Sequence, residues 1–295
     1  MRAGEEPSWP DVLDSHFHVW DAGSFDLPWL EMAPQLRHIV TSAEYWNSLD
    51  VRVTQAISVQ AGESAEESTW LTGEAFQDAH RAVGIVLQLD LSVPRALESL
   101  SSQSQTVSDH PVVGARDPRL IDRWDNRANR DVIAANVAGL AHLKIALDLM
   151  VRPGDLGRAL ELLETCGGQG VAIIEHCGSP PLKGHDRRWR KWTDDVSAIS
   201  EIESTFCKLS GPAIIAPVQE DPHERQYVVD VVVNAFGERR IMFGSDWPIS
   251  PGKRTIGDAI DGLALLLRAA GLERSPWVWA DSARTAYGLE MEALT

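Results

Sequence analysis

Eight short apolar runs, each followed by a longer segment with helical spacing, constrain this 295-residue chain more than any other feature. The runs are VLDSHFH (12–18), VTQAISVQA (53–61), AVGIVLQLDL (82–91), PVVGARD (111–117), GLAHLKIALDLM (139–150), GVAIIEHCG (170–178), TFCKLSG (205–211) and RRIMFGSDWP (239–248). They are rich in Val, Ile and Leu with little alternation, the pattern of parallel strands buried on both faces. In DLGRALELLETCGG (155–168), Leu156, Ala159, Leu160 and Leu163 share one helical face, and Gly167 and Gly168 supply a stop. SAEESTWLTGEAFQDAH, VPRALESLSSQ, NRDVIAANVAG, DDVSAISEIES, PHERQYVVDVVVNAFG and TIGDAIDGLALLLRAAG read the same way, and SPWVWADSARTAYGL ends the pattern as a final helix. The alternation predicts an α/β fold, a (β/α)8 TIM barrel. It fills residues 1–295 as one domain, with an N-terminal extension (1–10) and a C-terminal helix (276–289); an open doubly wound sheet is the alternative.

The charge balance narrows the partners. With 27 Lys and Arg against 43 Asp and Glu, a net charge of -16, the chain lacks the basic clusters that a nucleic-acid backbone or an anionic membrane demands. The opening MRAGEEPSWP has no apolar core of a secretory signal, and no run approaches the ~18 apolar residues of a spanning helix. Three cysteines, Cys166, Cys177 and Cys207, form no CxxC pair and suit reduced thiols. These features predict a cytoplasmic protein whose partner is a small-molecule substrate. A homo-oligomer stays open.

Active sites of such barrels sit where the strands end, so the polar residues closing each run matter most. His16 and His18 lie at i and i+2 of a strand and point to the same face. His176 and Asp246 close two other runs. Neutral imidazoles and a carboxylate are ligands for Zn or a similar divalent ion, and Asp246 can equally act as a general base toward water. Arg116 is suited to grip a carboxylate or a polarised carbonyl oxygen, with an ion pair to Asp117 or Glu175 as the competing role. Gln60 ends the second run. Trp20, Trp29 and Trp247 stand in loops at the same rim and are expected to form pocket wall or lid, or else core.

DSHFHVWD with LPWL (27–30), AISVQAGESAEESTWL, VVGARD, EHCGSPP, KLSG, RRIMFGSDWP and ADSARTAYGL together resemble the lactonase branch of the amidohydrolase superfamily. That branch includes L-fuconolactonase, 4-sulfomuconolactone hydrolase and 2-pyrone-4,6-dicarboxylate lactonase. The resemblance implies a (β/α)8 TIM barrel of the metal-dependent-hydrolase type that hydrolyses a lactone or similar cyclic ester. By position, His16 and His18 match the first-strand pair, His176 the sixth-strand His, Asp246 the water-activating Asp and Arg116 a substrate-binding Arg. Catalysis then falls to Asp246, His176 and His18, with His18, His176 and Arg116 facing the oxyanion. Substrate contacts fall to Arg116, Gln60, Trp20, Trp29 and Trp247. His16, His18, His176 and Asp246 would hold one divalent ion, Zn first, although relatives also work without metal. This chain departs from the pattern at Glu175, where relatives carry Asp, at Cys177, and at Asp117, where a His is usual. No strand-end Lys presents itself as the bridge of a binuclear centre, since Lys144 is mid-run and Lys208 lies in KLSG. A metal-dependent decarboxylase of an aromatic or unsaturated acid, and a barrel that only binds a small molecule, are the rival functions.

Overall fold

A computed structural model describes residues 9–78, 81–98, 100, 111–181, 186–215, 222–249 and 255–289. Eight parallel strands follow one another around a nearly closed barrel: β1 (Val12–Phe17), β2 (Val53–Val59), β3 (Ala82–Gln88), β4 (Val112–Arg116), β5 (Ala146–Leu149), β6 (Ala172–Ile174), β7 (Thr205–Leu209) and β8 (Ile241–Phe243). Just beyond β8, Asp246 N–H donates to the His16 carbonyl (2.8 Å) and His18 N–H donates to the Trp247 carbonyl (2.8 Å). These two bonds bring the ends of β1 and β8 together at the rim.

Two buried layers hold the barrel. Leu13, Ile57, Val86, Ile173 and Met242 fill its interior, and they pack against Ala283, Ala286 and Tyr287 of the closing helical segment. The outer layer lies between strands and helices, as where Trp189, Trp192, Val196 and Ile199 turn one face of Arg187–Ser200 inward. That helix starts seven residues before the DDVSAISEIES segment, at a turn capped by Asp186, whose side chain accepts from Arg188 N–H. The charge-rich RRWRKW stretch hides its apolar stripe.

Every strand is shorter than its apolar run, and three fall to half of it or less. Residues 139–143 finish the helix Arg130–Leu143, which Lys144 stops in a left-handed conformation (φ 58°), so β5 starts at Ala146. β6 ends at Ile174 and β8 at Phe243, leaving EHCG as an irregular 3-10 turn and GSDWP as loop. The C-terminal helix opens with a π-helical turn (Trp277–Asp281) before Ser282–Ala286. VPRALESLSSQ is turn over its first residues and otherwise lies largely outside the described residues, as does most of the N-terminal extension.

Candidate active site

Every residue of β1 is buried, including the three polar ones, Asp14, Ser15 and His16. A carboxylate in such a strand needs partners, and Asp14 has them. Its Oδ1 accepts from His16 N–H (3.1 Å) and Ser245 N–H (2.8 Å), and its Oδ2 accepts from the Tyr45 hydroxyl (2.8 Å). Ser15 Oγ donates to the Phe243 carbonyl at 2.6 Å. Asp14 therefore ties the backbone of His16 to the loop that carries Asp246. Burial raises the Asp14 carboxyl above its ordinary range, and the donors from Ser245 and Tyr45 offset this in part.

His16 and His18 project together into the barrel mouth, with Nε2 facing Nε2 at 3.0 Å. His18 Nδ1 stands 2.6 Å from the Val59 carbonyl, which can only accept. The ring proton is thereby fixed on Nδ1, and His18 Nε2 presents a lone pair. Asp246 Oδ1 lies 3.6 Å from His16 Nε2 and 3.5 Å from His18 Nε2. Burial drives both imidazoles below the ordinary histidine range; for His16 the charge of Lys208 adds to this, while for His18 the neighbouring Asp246 carboxylate, which favours a charged ring, opposes it.

The third imidazole arrives through strained backbone. After β6, His176 (φ 52°), Cys177 (φ 56°) and Ser179 (φ 51°) are all left-handed, and so is Asp246 (φ 54°). Non-glycine residues pay roughly 1 kcal/mol or more for this conformation, and such residues cluster at functional sites. His176 shares a 2.9 Å hydrogen bond between Nδ1 and Ser210 Oγ. Gly211 lets the ring lie there: a Cβ at this position would sit 2.7 Å from it.

His16, His176 and Asp246 can each offer a donor atom, all within 4.8 Å of one another. Zn–N and Zn–O bonds of about 2.0–2.2 Å in a tetrahedral set place neighbouring donors roughly 3.3 Å apart. The 3.0, 3.5 and 3.6 Å separations among His16, His18 and Asp246 bracket that value. The residues therefore fit a single divalent ion.

Beneath the histidines lies a buried chain of alternating charge, with Arg116 at its cavity end. Arg116 Nη1 donates to Glu175 Oε2 at 3.2 Å, and Lys208 Nζ stands 3.8 Å from Glu175 Oε1 and 2.6 Å from Asp148 Oδ2. Tyr287 donates to the same Asp148 oxygen at 2.7 Å. Burial raises the Asp148 carboxyl, with Lys208 opposing, whereas at Glu175 the effect of burial is outweighed by Arg116 and Lys208 and the carboxyl is held low. Neither Asp14 nor Tyr287 figures among the sequence candidates. The available signal was a lone charge inside an apolar run, in VLDSH, IALDLM and FCKLSG, which cannot be buried without a distant partner.

A cavity of about 710 Å³ opens above this floor, with His18, Trp29, Arg116, His176 and Asp246 in its wall. Trp20 is not in that wall. It is fully buried behind Trp29 (ring centroids 5.1 Å apart) and donates from Nε1 to the His38 carbonyl at 2.9 Å. Trp247 packs on Tyr45 at 5.4 Å and also stays out of the wall. Gln60 is buried too, its amide spent on Ser64, Ser68 and Gln88, while its carbonyl accepts from Arg116 Nη2 at 2.7 Å. Asp117 turns away from Arg116 and pairs with Arg123.

The amidohydrolase family model matches residues 13–289. The chain belongs to the amidohydrolase family. This amidohydrolase is 27% identical over 307 residues to an L-fucono-1,5-lactonase of Burkholderia multivorans, covering 94% of this chain and 96% of that one. A second L-fucono-1,5-lactonase, from Burkholderia ambifaria, is 27% identical over 250 residues, 83% of either chain. The crystal structure of an amidohydrolase from Burkholderia multivorans with bound Zn superposes with a TM-score of 0.82 at 23% identity, over 95% of this chain and 100% of that one.

Proposed function

We propose that this amidohydrolase opens a lactone of the sugar-acid type, with Asp246 as the general base toward water. One observation carries the reading: the Asp246 carboxylate stands in the cavity wall beside His18 and His176, in a chain related over nearly its full length to L-fucono-1,5-lactonases. Asp246 takes a proton from a water in the cavity, and the hydroxide adds to the ring carbonyl. His176 and Arg116 face the oxygen on which charge develops, each such donor contributing roughly 3 kcal/mol. His18, with its proton committed to Val59, acts through its lone pair and not as an oxyanion donor. When the ring C–O bond breaks, the leaving alkoxide takes the proton from Asp246, and one water has been consumed. A divalent ion held by His16, His18, His176 and Asp246 would supply Lewis acidity to this step.

Decarboxylation of an aromatic acid is the weaker reading. A substrate carboxylate needs an available cation; Arg116 shares its charge with Glu175, and against Arg119 the wall holds three carboxylates, Asp26, Glu63 and Asp246. The same balance favours an uncharged ring. The protein is read as acting as one barrel domain in the cytoplasm, in keeping with its free Cys166, Cys177 and Cys207. Among the described residues no helix is long and apolar enough to cross a membrane. A pH-stat assay over a panel of sugar and aromatic lactones, run beside CO2 detection on aromatic acids, tests the reading. Acid release from sugar lactones is expected; CO2 from the acids, or no turnover of any lactone, would overturn it.

A further inference from the structure

Lys208 is a fully buried cation that the proposed chemistry does not use. Its Nζ is 2.6 Å from Asp148 Oδ2 and 3.1 Å from His16 Nδ1, and it stands 5.5 Å over the Tyr287 ring. An ammonium has three N–H donors and no lone pair, so the atom it faces must accept. His16 Nδ1 therefore carries no proton. The Glu175 Oε1 carboxylate oxygen stands off from that nitrogen at 3.5 Å. The ring proton of His16 is left on Nε2, aimed at the His18 lone pair 3.0 Å away. Donors and acceptors then match from end to end: Lys208 to His16, His16 to His18, His18 to the Val59 carbonyl.

We propose that Lys208, anchored by Asp148, is a positioning residue that fixes the proton of His16 on Nε2, so that His16 enters the centre as a hydrogen-bond donor and not as a free lone pair. A ligand nitrogen must be bare, so an ion can engage His16 only after that proton leaves. Lys208 thus weakens the hold of the His16 position on a metal. Metal-binding imidazoles ordinarily donate their other N–H to a carboxylate or carbonyl, and such partners change metal affinity by about 10–100-fold. Here Glu175 could play that part only once Lys208 is gone. The Tyr287 hydroxyl, from the closing segment of the chain, fixes the Asp148 oxygen that holds Lys208 in place. None of this depends on which lactone is opened.

Two-bond 1H–15N spectra of the full chain, labelled at histidine and stripped of metal with EDTA, read the tautomer directly, with His16→Gln identifying the signal. The wild type is expected to show a bare Nδ1 and a protonated Nε2 at His16. In Lys208→Met the proton moves to Nδ1, and Zn affinity measured against a chromophoric chelator tightens about tenfold or more. A protonated Nδ1 in the wild type, or a folded Lys208→Met protein with unchanged tautomer and Zn affinity, would overturn the proposal. Should Lys208→Met not fold, the wild-type spectrum alone decides.

Discussion

The Asp14 carboxylate and the Tyr45 hydroxyl, 2.8 Å apart and both fully buried, form a brace whose second carboxylate oxygen holds the first strand to Ser245 in the loop bearing Asp246. Asp14→Ala would leave the Tyr45 hydroxyl and the N–H groups of His16 and Ser245 without their acceptor. Breaking such a buried polar set costs about 3–5 kcal/mol. Urea unfolding should show a loss of that order, together with a fall in activity, and a loss under 1 kcal/mol contradicts the brace.

Two tryptophans in neighbouring positions should behave differently. Trp20→Ala removes a fully buried ring and should cost about 3–5 kcal/mol of stability. Trp29→Ala strips the cavity wall and should raise KM roughly tenfold, about 1.4 kcal/mol, while denaturation shifts less than for Trp20. Paired urea titrations and Michaelis curves separate the two, and a Trp20 variant that alters only KM contradicts the placement.

The distance between fold and sequence patterning is instructive at these positions. Strand–helix alternation and i, i+2 geometry made the barrel and the His16–His18 pair legible, because both follow from local periodicity. Trp20 and Trp29 were indistinguishable, since an aromatic in a loop gives no period that tells wall from core. Asp14–Tyr45, Arg116–Glu175 and Asp148–Lys208 are separated by 31, 59 and 60 positions, and only the closed barrel brings such partners together. The short β6 and β8 were overrun because apolar residues lead directly into loops whose conformation is set by the site.

Gly211→Ala tests the fit around His176. The added Cβ meets the ring at 2.7 Å, and its backbone is left-handed (φ 73°). A cost of about 1–3 kcal/mol in stability is expected, and displacement of the ring should lower kcat about 100-fold. An Ala variant with unchanged kcat contradicts the role of His176.

The depressed imidazoles set the pH response. His16 and His18 bind protons in the unfolded chain below about pH 6.5 but resist them in the fold, so their contribution to stability is full above 6.5 and is lost as pH drops below it. Each proton contributes about 1.4 kcal/mol per pH unit until its folded-state value is reached. The acid limb of kcat/KM should accordingly lie below 6.5. A limb at or above 6.5, or a stability profile between 6.5 and 5.5 that His18→Gln leaves unchanged in slope, contradicts the burial of these rings.

The central claim is that Asp246 activates water. On the sugar lactone turned over fastest, Asp246→Asn should keep the fold and lower kcat about 10²–10⁴-fold, the range of a general base, in metal-free and Zn-loaded protein alike. A folded Asp246→Asn enzyme that opens this lactone at the wild-type rate would contradict the account.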